Sequence, residues 1–128
     1  MNKPRTYGFQ FSLTDAVAIC MFIGVAVALW RVGNPLWWVL VVTAAHFFLF
    51  CNVFRIVRRR ELIWAGLFIL NISVWVWTDN LTWTHVLLCQ LPITVWFVIA
   101  DMLAPSYHGV FANRLNPRLN EYLEGRIP

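Results

Sequence analysis

The basic residues of this chain lie almost entirely on one side of four apolar segments. The segments are residues 16–30, 32–54, 62–78 and 80–100, and each is bounded by charged residues. About 17–25 helical residues are needed to cross a bilayer core about 30 Å thick. The second and fourth segments meet that length, the third is marginal, and the first needs residues 11–14 to extend it. The pattern predicts an all-α integral membrane protein that folds as a four-transmembrane-helix antiparallel bundle.

The charge distribution predicts the orientation of this bundle. Among the 10 basic residues, Arg31 alone lies at one end of the segments. The others lie at the opposite end: Lys3, Arg5, Arg55, Arg58, Arg59, Arg60, Arg114, Arg118 and Arg126. Because basic residues beside short spans stay on the cytoplasmic side, we expect both termini and the middle loop to be cytoplasmic. The expected location is a multi-pass position in a membrane of the bacterial inner-membrane type.

The tryptophans indicate the same topology independently. Most of the 8 tryptophans lie at the end opposite to the basic residues: Trp30, Trp37, Trp38, Trp75, Trp77 and Trp83. An indole suits the membrane interface because its ring can be buried while its N–H stays in contact with water. This tryptophan belt places the short loops at 31–35 and 79–83 on the outer side.

Three regions are expected along the chain. Residues 1–15 form a cytoplasmic interfacial leader, residues 16–103 the transmembrane domain, and residues 104–128 a cytoplasmic tail. The four spans are expected at about 14–31, 36–55, 61–77 and 83–103.

Two local patterns support the ends of this division. Ser12 and Asp15 have the spacing of a capping box, so the first helix is expected to begin near them. In the tail, Leu119, Tyr122 and Leu123 share one face of a short amphipathic C-terminal helix.

The first span carries small residues at every fourth position: Ala16, Cys20, Gly24 and Ala28. Small residues at this spacing let another backbone approach closely, which is how helices commonly associate in lipid. We call these four residues the small-residue stripe, and we expect it to be buried against a neighbouring helix.

Three polar residues are predicted at similar depth inside the spans: His46, Asn71 and Gln90. Polar groups in hydrocarbon need partners, so we expect them to hydrogen-bond to one another as an intramembrane polar cluster. Two alternatives remain open at this point. His46 could be the axial ligand of a haem or a chlorophyll-type pigment, or the three residues could line a polar pathway.

The sequence requires neither a metal nor a cofactor. His85 and Cys89 share a helix face at a spacing that metal ligands can use, and His46 is a third weak candidate. Cys20, Cys51 and Cys89 all lie inside spans, so a disulfide framework is not expected.

Charged residues of both signs are predicted at the cytoplasmic boundary. They form an expected inner-face charge network: Asp15, Arg55, Arg58, Arg59, Arg60, Glu61 and Asp101. Unpaired charges at that depth are costly, so the carboxylates are expected to neutralise the arginines.

Neither an enzyme nor a nucleic-acid binder is indicated. The sequence contains no H-E-x-x-H, no G-x-S-x-G and no phosphate-binding glycine loop. A folded basic domain for reading nucleic acid has no room in the remaining residues.

The expected function is therefore that of a non-catalytic small membrane subunit, which contributes packing surface to a larger complex. Its expected partners are the lipid bilayer and other membrane subunits. A homo-oligomeric small transporter or channel is the first alternative. The second is a redox or pigment-binding subunit that uses His46.

Overall fold

The structure is a computed structural model that describes residues 4–128, so Lys3 and the start of the predicted leader lie outside it. Its four main helices are α1 (Leu13–Arg31), α2 (Trp37–Phe48), α3 (Arg58–Trp77) and α4 (Trp83–Met102). A π-helical segment (Leu49–Val53) continues α2, and two short helices, α5 (Ala112–Leu115) and α6 (Leu119–Leu123), follow α4. Strands do not occur within residues 4–128. The fold is all-helical, as predicted.

Three of these helices are long and apolar enough to cross a membrane. α1 has 19 residues, and α3 and α4 have 20 each. The predicted span at 36–55 is shorter in the structure, because α2 and its π-helical segment end at Val53 and Arg55 adopts a φ of 50°. At about 1.5 Å per residue, this helix covers about 25 Å of a core about 30 Å thick. Residues 4–128 therefore contain three candidate spans of full length.

Side-chain caps fix where two of the helices begin. The backbone N–H of Ser12 donates to Asp15 Oδ2 at 2.8 Å, and the N–H of Asp15 donates to Ser12 Oγ at 3.2 Å. This reciprocal pair confirms the predicted capping box. At the start of α4, the hydroxyl of Thr82 accepts from the N–H of His85 at 3.3 Å. Both caps satisfy amide groups that have no partner inside their helix.

The helices pack as two hairpins. α1 lies against α2, and α3 lies against α4. Phe50 of the π-helical segment joins the hairpins, because its ring meets Trp64 of α3 edge-on with centroids 5.4 Å apart. The buried apolar residues around this contact are Phe50, Ile56, Trp64, Phe68 and Val86. α1 is peripheral, since Ala26 is the buried residue of that helix.

Both chain termini fold over one end of the bundle. The N–H of Gly8 donates to the carbonyl of His108 at 2.9 Å, and the N–H of Val110 donates to the carbonyl of Val53 at 2.9 Å. A second small core lies beneath these contacts and consists of Tyr107, Ala112 and Leu119, with Met102, Tyr122 and Leu123 packed on it. We call residues 4–11, the link 54–57 and the tail 103–128 together the terminal cap.

Candidate functional site: a polar cluster between α2, α3 and α4

His46 of α2 is buried where α2 meets α3 and α4, with 8% of its surface exposed. Its Nδ1 lies 2.9 Å from the carbonyl oxygen of Val42, one turn earlier in the helix. Because a carbonyl only accepts, Nδ1 carries the proton and Nε2 of the neutral ring is an acceptor. Nε2 faces the hydroxyl of Thr94 on α4 at 3.3 Å.

Thr94 is the centre of this part of the cluster. It accepts the indole N–H of Trp64 at 2.8 Å, and its own hydroxyl lies 3.0 Å from the carbonyl of Gln90. Its single proton is therefore shared between that carbonyl and Nε2 of His46. The Trp64 ring also stacks on the His46 ring, with centroids 4.4 Å apart and planes 23° apart. Three helices are thus joined through one hydroxyl and one stacked pair.

Asn71 and Gln90 form the second half of the cluster. The amide nitrogen of Asn71 donates to Gln90 Oε1 at 3.3 Å and to the carbonyl of Val86 at 3.0 Å. The indole N–H of Trp75 donates in turn to Asn71 Oδ1 at 2.9 Å. Gln90 is fully buried. The two amides therefore connect α3 to α4 deep in the protein.

The three predicted residues are thus close together but are not one hydrogen-bonded triad. Asn71 donates directly to Gln90, whereas His46 hydrogen-bonds to neither of them and is linked to Gln90 through Thr94. Trp64 and Thr94 were not predicted as members of the cluster. One signal was available: Thr94 lies four residues after Gln90 and so projects from the same face of α4.

The geometry around His46 does not suit an axial ligand. Both ring nitrogens have hydrogen-bond partners, and the indole of Trp64 covers one face of the ring. A metal on Nε2 would have to displace the hydroxyl of Thr94. This arrangement favours a structural histidine and does not favour a haem or chlorophyll-type pigment.

The other weak metal candidates are not assembled into a site. His85 Nδ1 lies 3.1 Å from the carbonyl of Asn80, and its ring stacks on Trp75 with centroids 4.6 Å apart. Cys89 is exposed. Within residues 4–128, no three histidine, cysteine, aspartate or glutamate side chains come together in a way that could hold a metal ion.

The predicted inner-face charge network is reduced to one ion pair in the described part of the chain. Arg60 pairs with Asp101 at 2.5 Å, and the second oxygen of Asp101 accepts from the N–H of Val57 at 3.3 Å. Glu61 instead accepts from the thiol of Cys51 at 3.4 Å.

The remaining members of the network have other roles or face outward. Asp15 is used in the capping box, and Arg55 donates to the carbonyl of Thr6 at 2.7 Å. Arg58 and Arg59 are exposed. The three carboxylates therefore accept hydrogen bonds from backbone amides and a thiol, and in the described residues Asp101 is the one that pairs with an arginine of the network.

Most of the small-residue stripe is exposed, and its first member, Ala16, is half-buried. Cys20, Gly24 and Ala28 are exposed, whereas Ala26, which lies on the opposite side of α1, is buried. A methyl group built on Gly24 would meet no atom within 4 Å. Within residues 4–128, the helices therefore do not bury Cys20, Gly24 or Ala28.

An apolar groove of about 480 Å³ lies between α1 and α2. Its lining comes mainly from Val17, Met21, Phe22 and Val25 of α1, with Leu40 of α2 opposite them. The groove can accommodate apolar chains, and Thr14 is the one polar residue of its lining.

Comparisons of the chain with protein-family models, with curated proteins and with solved structures gave no match. The function must therefore be argued from the geometry of the chain itself.

Proposed function

We propose that this protein is a non-catalytic, multi-pass membrane subunit that contributes packing surface to a larger membrane complex. The observation that supports this most is the surface of α1. Ala26 is the buried residue of this helix, and about two thirds of its residues are exposed, so it leaves a large surface for other molecules. Three members of the small-residue stripe, Cys20, Gly24 and Ala28, belong to that exposed surface.

The stripe favours a protein neighbour over lipid. Lipid chains gain little from small residues, whereas a partner helix gains close backbone contact, dispersion contacts and Cα–H hydrogen bonds. The groove beside Met21 and Phe22 adds a recess into which a partner's apolar side chains can fit. The proposed partners are therefore transmembrane helices of other subunits, surrounded by the lipid bilayer.

The polar cluster supports a structural role for the interior. Its hydrogen-bonding groups are paired with one another or with the backbone, so few remain for a substrate. In membranes, individual hydrogen bonds between helices contribute about 0.6 kcal/mol on average. We therefore assign the cluster the role of fixing how α2, α3 and α4 fit together.

The proposed topology has four spans, with both termini in the cytoplasm and the complex in a membrane of the bacterial inner-membrane type. α2 and its π-helical segment together span Trp37–Val53, near the lower limit of about 17 residues for a crossing helix. Local thinning of the bilayer can accommodate such a helix at modest cost. The segregation of basic residues sets the direction of insertion.

Two native cysteines allow a matched test of this proposal. Cys20 on α1 and Cys89 on α4 are both exposed. Single-cysteine variants that retain one or the other would be expressed in the native host and treated with a membrane-permeant, thiol-directed photo-crosslinker. We expect Cys20 to form an adduct with a different membrane polypeptide, identified by mass spectrometry. Cys89 is the comparison position on a helix to which no partner contact is assigned.

Two outcomes would count against the proposal. Adducts of Cys20 with lipid alone would place the stripe in the bilayer. Adducts of Cys20 only with copies of the same chain would favour the homo-oligomeric transporter or channel.

A further inference from the structure

His108 lies where the two termini of the chain meet in the terminal cap. Its Nδ1 donates to the carbonyl of Ser106 at 2.8 Å, so Nε2 is the nitrogen that can take up a further proton. Its ring stacks on Tyr122 of α6, with centroids 4.5 Å apart and planes 11° apart. Its own carbonyl accepts the N–H of Gly8 from the leader.

Two arginines hold the leader in the terminal cap. The guanidinium of Arg5 lies 5.0 Å from the centre of the Tyr122 ring and donates to the Tyr122 carbonyl at 3.0 Å. It also donates to the carbonyl of Ile127. Arg55 of the link donates to the carbonyl of Thr6 at 2.7 Å. The leader is therefore attached to both the tail and the link by cationic side chains.

The charges around His108 are predominantly positive. Arg55 of the link and Asp101 of α4 line one small cavity with His108, and Arg5 of the leader lies over the ring of Tyr122 on which His108 stacks. Tyr107 and Tyr122 are the neighbouring phenols. The single carboxylate of this group, Asp101, is already paired with Arg60.

Neutral His108 is therefore compatible with the closed cap, whereas a protonated ring would add a cation beside two others. We propose that the terminal cap is a pH-sensitive latch, in which protonation of His108 at Nε2 releases the leader from the tail. Release frees Tyr7 and Phe9 to move and opens the small core around Tyr107 and Leu119. The latch concerns the cap alone and does not depend on which complex the protein joins.

The direction of the pH response follows from the proton affinities of the two states. Burial lowers the pKa of His108 in the closed cap, and Arg55 and Arg5 lower it further, while the bond to Ser106 and the charge of Asp101 act in the opposite direction. The released histidine has the ordinary pKa of about 6.5. The closed cap is therefore fully favoured above about pH 6.5 and loses stability as the pH falls below that value.

Distance measurements on the full-length protein in lipid nanodiscs test this proposal. Spin labels would be attached to Tyr7→Cys in the leader and Asn120→Cys in α6, both exposed positions, after the three native cysteines are replaced. We expect one narrow distance distribution at pH 7.5. It should broaden and move to longer distances with a midpoint below about pH 6.5.

Substitution of the histidine separates its effect from that of other titrating groups. His108→Phe keeps an aromatic ring against Tyr122 but cannot take up a proton, so its distribution should stay narrow at pH 5. His85→Phe is the matched control, because His85 is also stacked on an aromatic ring but lies far from the cap in sequence. The control should open like the parent protein.

Retained opening in His108→Phe would overturn the proposal, because another group would then be the sensor. A parent protein that stays closed down to pH 5 would also overturn it. If His108→Phe is already open at pH 7.5, His108→Asn replaces it, since its amide nitrogen takes the position of Nδ1 in the bond to Ser106. Opening of that variant on acidification alone would likewise contradict a role for His108.

Discussion

The indole N–H of Trp64 on α3 donates to the hydroxyl of Thr94 on α4 at 2.8 Å. Thr94→Val should remove the acceptor of Trp64 and the donor of His46 together while nearly preserving side-chain shape. Leaving a buried polar group without a partner costs about 1–3 kcal/mol. We expect a loss of unfolding free energy of about that size, measured by denaturant titration in detergent micelles.

Thr84→Val is the control, at an exposed position of the same helix. It should change the unfolding free energy by less than about 0.5 kcal/mol. Equal stability of the two variants would contradict a structural role for Thr94.

The ion pair between Arg60 and Asp101 predicts a second stability difference. Asp101 is almost fully buried, with 5% of its side chain exposed, and it also accepts from the N–H of Val57. Asp101→Asn keeps an acceptor for Val57 but removes the charge opposite Arg60. Hydrogen bonds to charged groups contribute about 1.5–3 kcal/mol, so we expect a destabilisation in that range.

Glu124→Gln is the matched control for that substitution, because it makes the same chemical change in the exposed pair with Arg126. Exposed pairs typically contribute about 0–1 kcal/mol. The same denaturant titration would be used for both variants. A larger effect for Glu124→Gln than for Asp101→Asn would show that burial does not set the strength of the Arg60 pair.

The tail packs closely on the link at Gly109. A methyl group built on Gly109 would lie 2.4 Å from the carbonyl oxygen of Phe54, which belongs to the backbone. Gly109→Ala should therefore push the tail away from the link, with an overpacking cost of about 1–3 kcal/mol. Hydrogen–deuterium exchange should become faster at the Val110 amide, which donates to the carbonyl of Val53.

Gly66→Ala is the control, because a methyl group at that position meets open space. It should leave the exchange rate of the Val110 amide unchanged. Unaltered protection in Gly109→Ala would place the tail elsewhere.

The proposed four-span topology can be tested with three asparagines. Asn34, Asn80 and Asn120 would be replaced singly by cysteine after the native cysteines are removed, and intact cells would be treated with an impermeant thiol reagent. We expect labelling from outside at Asn34 and Asn80 but not at Asn120. Because α2 and α3 separate the first two positions, opposite results at Asn34 and Asn80 would mean that only one of these two helices crosses the membrane and would contradict the four-span topology.

Much of the helical architecture could be predicted from the sequence because its signals are local. Charges interrupt the apolar segments, and the Ser12–Asp15 pair marks the start of α1. The shortening of the second span was not predictable. The turn at Arg55 has a positive φ, and such a turn is usually recognised in a sequence by a glycine, which this position lacks.

The candidate site was only partly predictable, since its contacts are between distant residues. Asn71 and Gln90 were identified because polar residues in apolar spans stand out. Trp64 and Thr94 do not stand out, because an indole and a hydroxyl are common in such helices. Which face of α1 meets α2 was not predictable for a related reason, because α1 is apolar on every side.

The most direct test of the packing proposal is native purification of two matched glycine variants. Gly24 in the small-residue stripe and Gly66 on α3 are both helical, and at both positions an added methyl group meets open space within the chain. Gly24→Leu and Gly66→Leu should therefore leave the isolated protein folded to the same degree. Each would be extracted from native membranes in mild detergent and analysed by native mass spectrometry beside the wild type. We expect the wild type and Gly66→Leu to retain other subunits, and Gly24→Leu to lose them. A wild-type protein that is isolated alone, or a Gly24→Leu variant that retains every subunit, would contradict packing through this stripe.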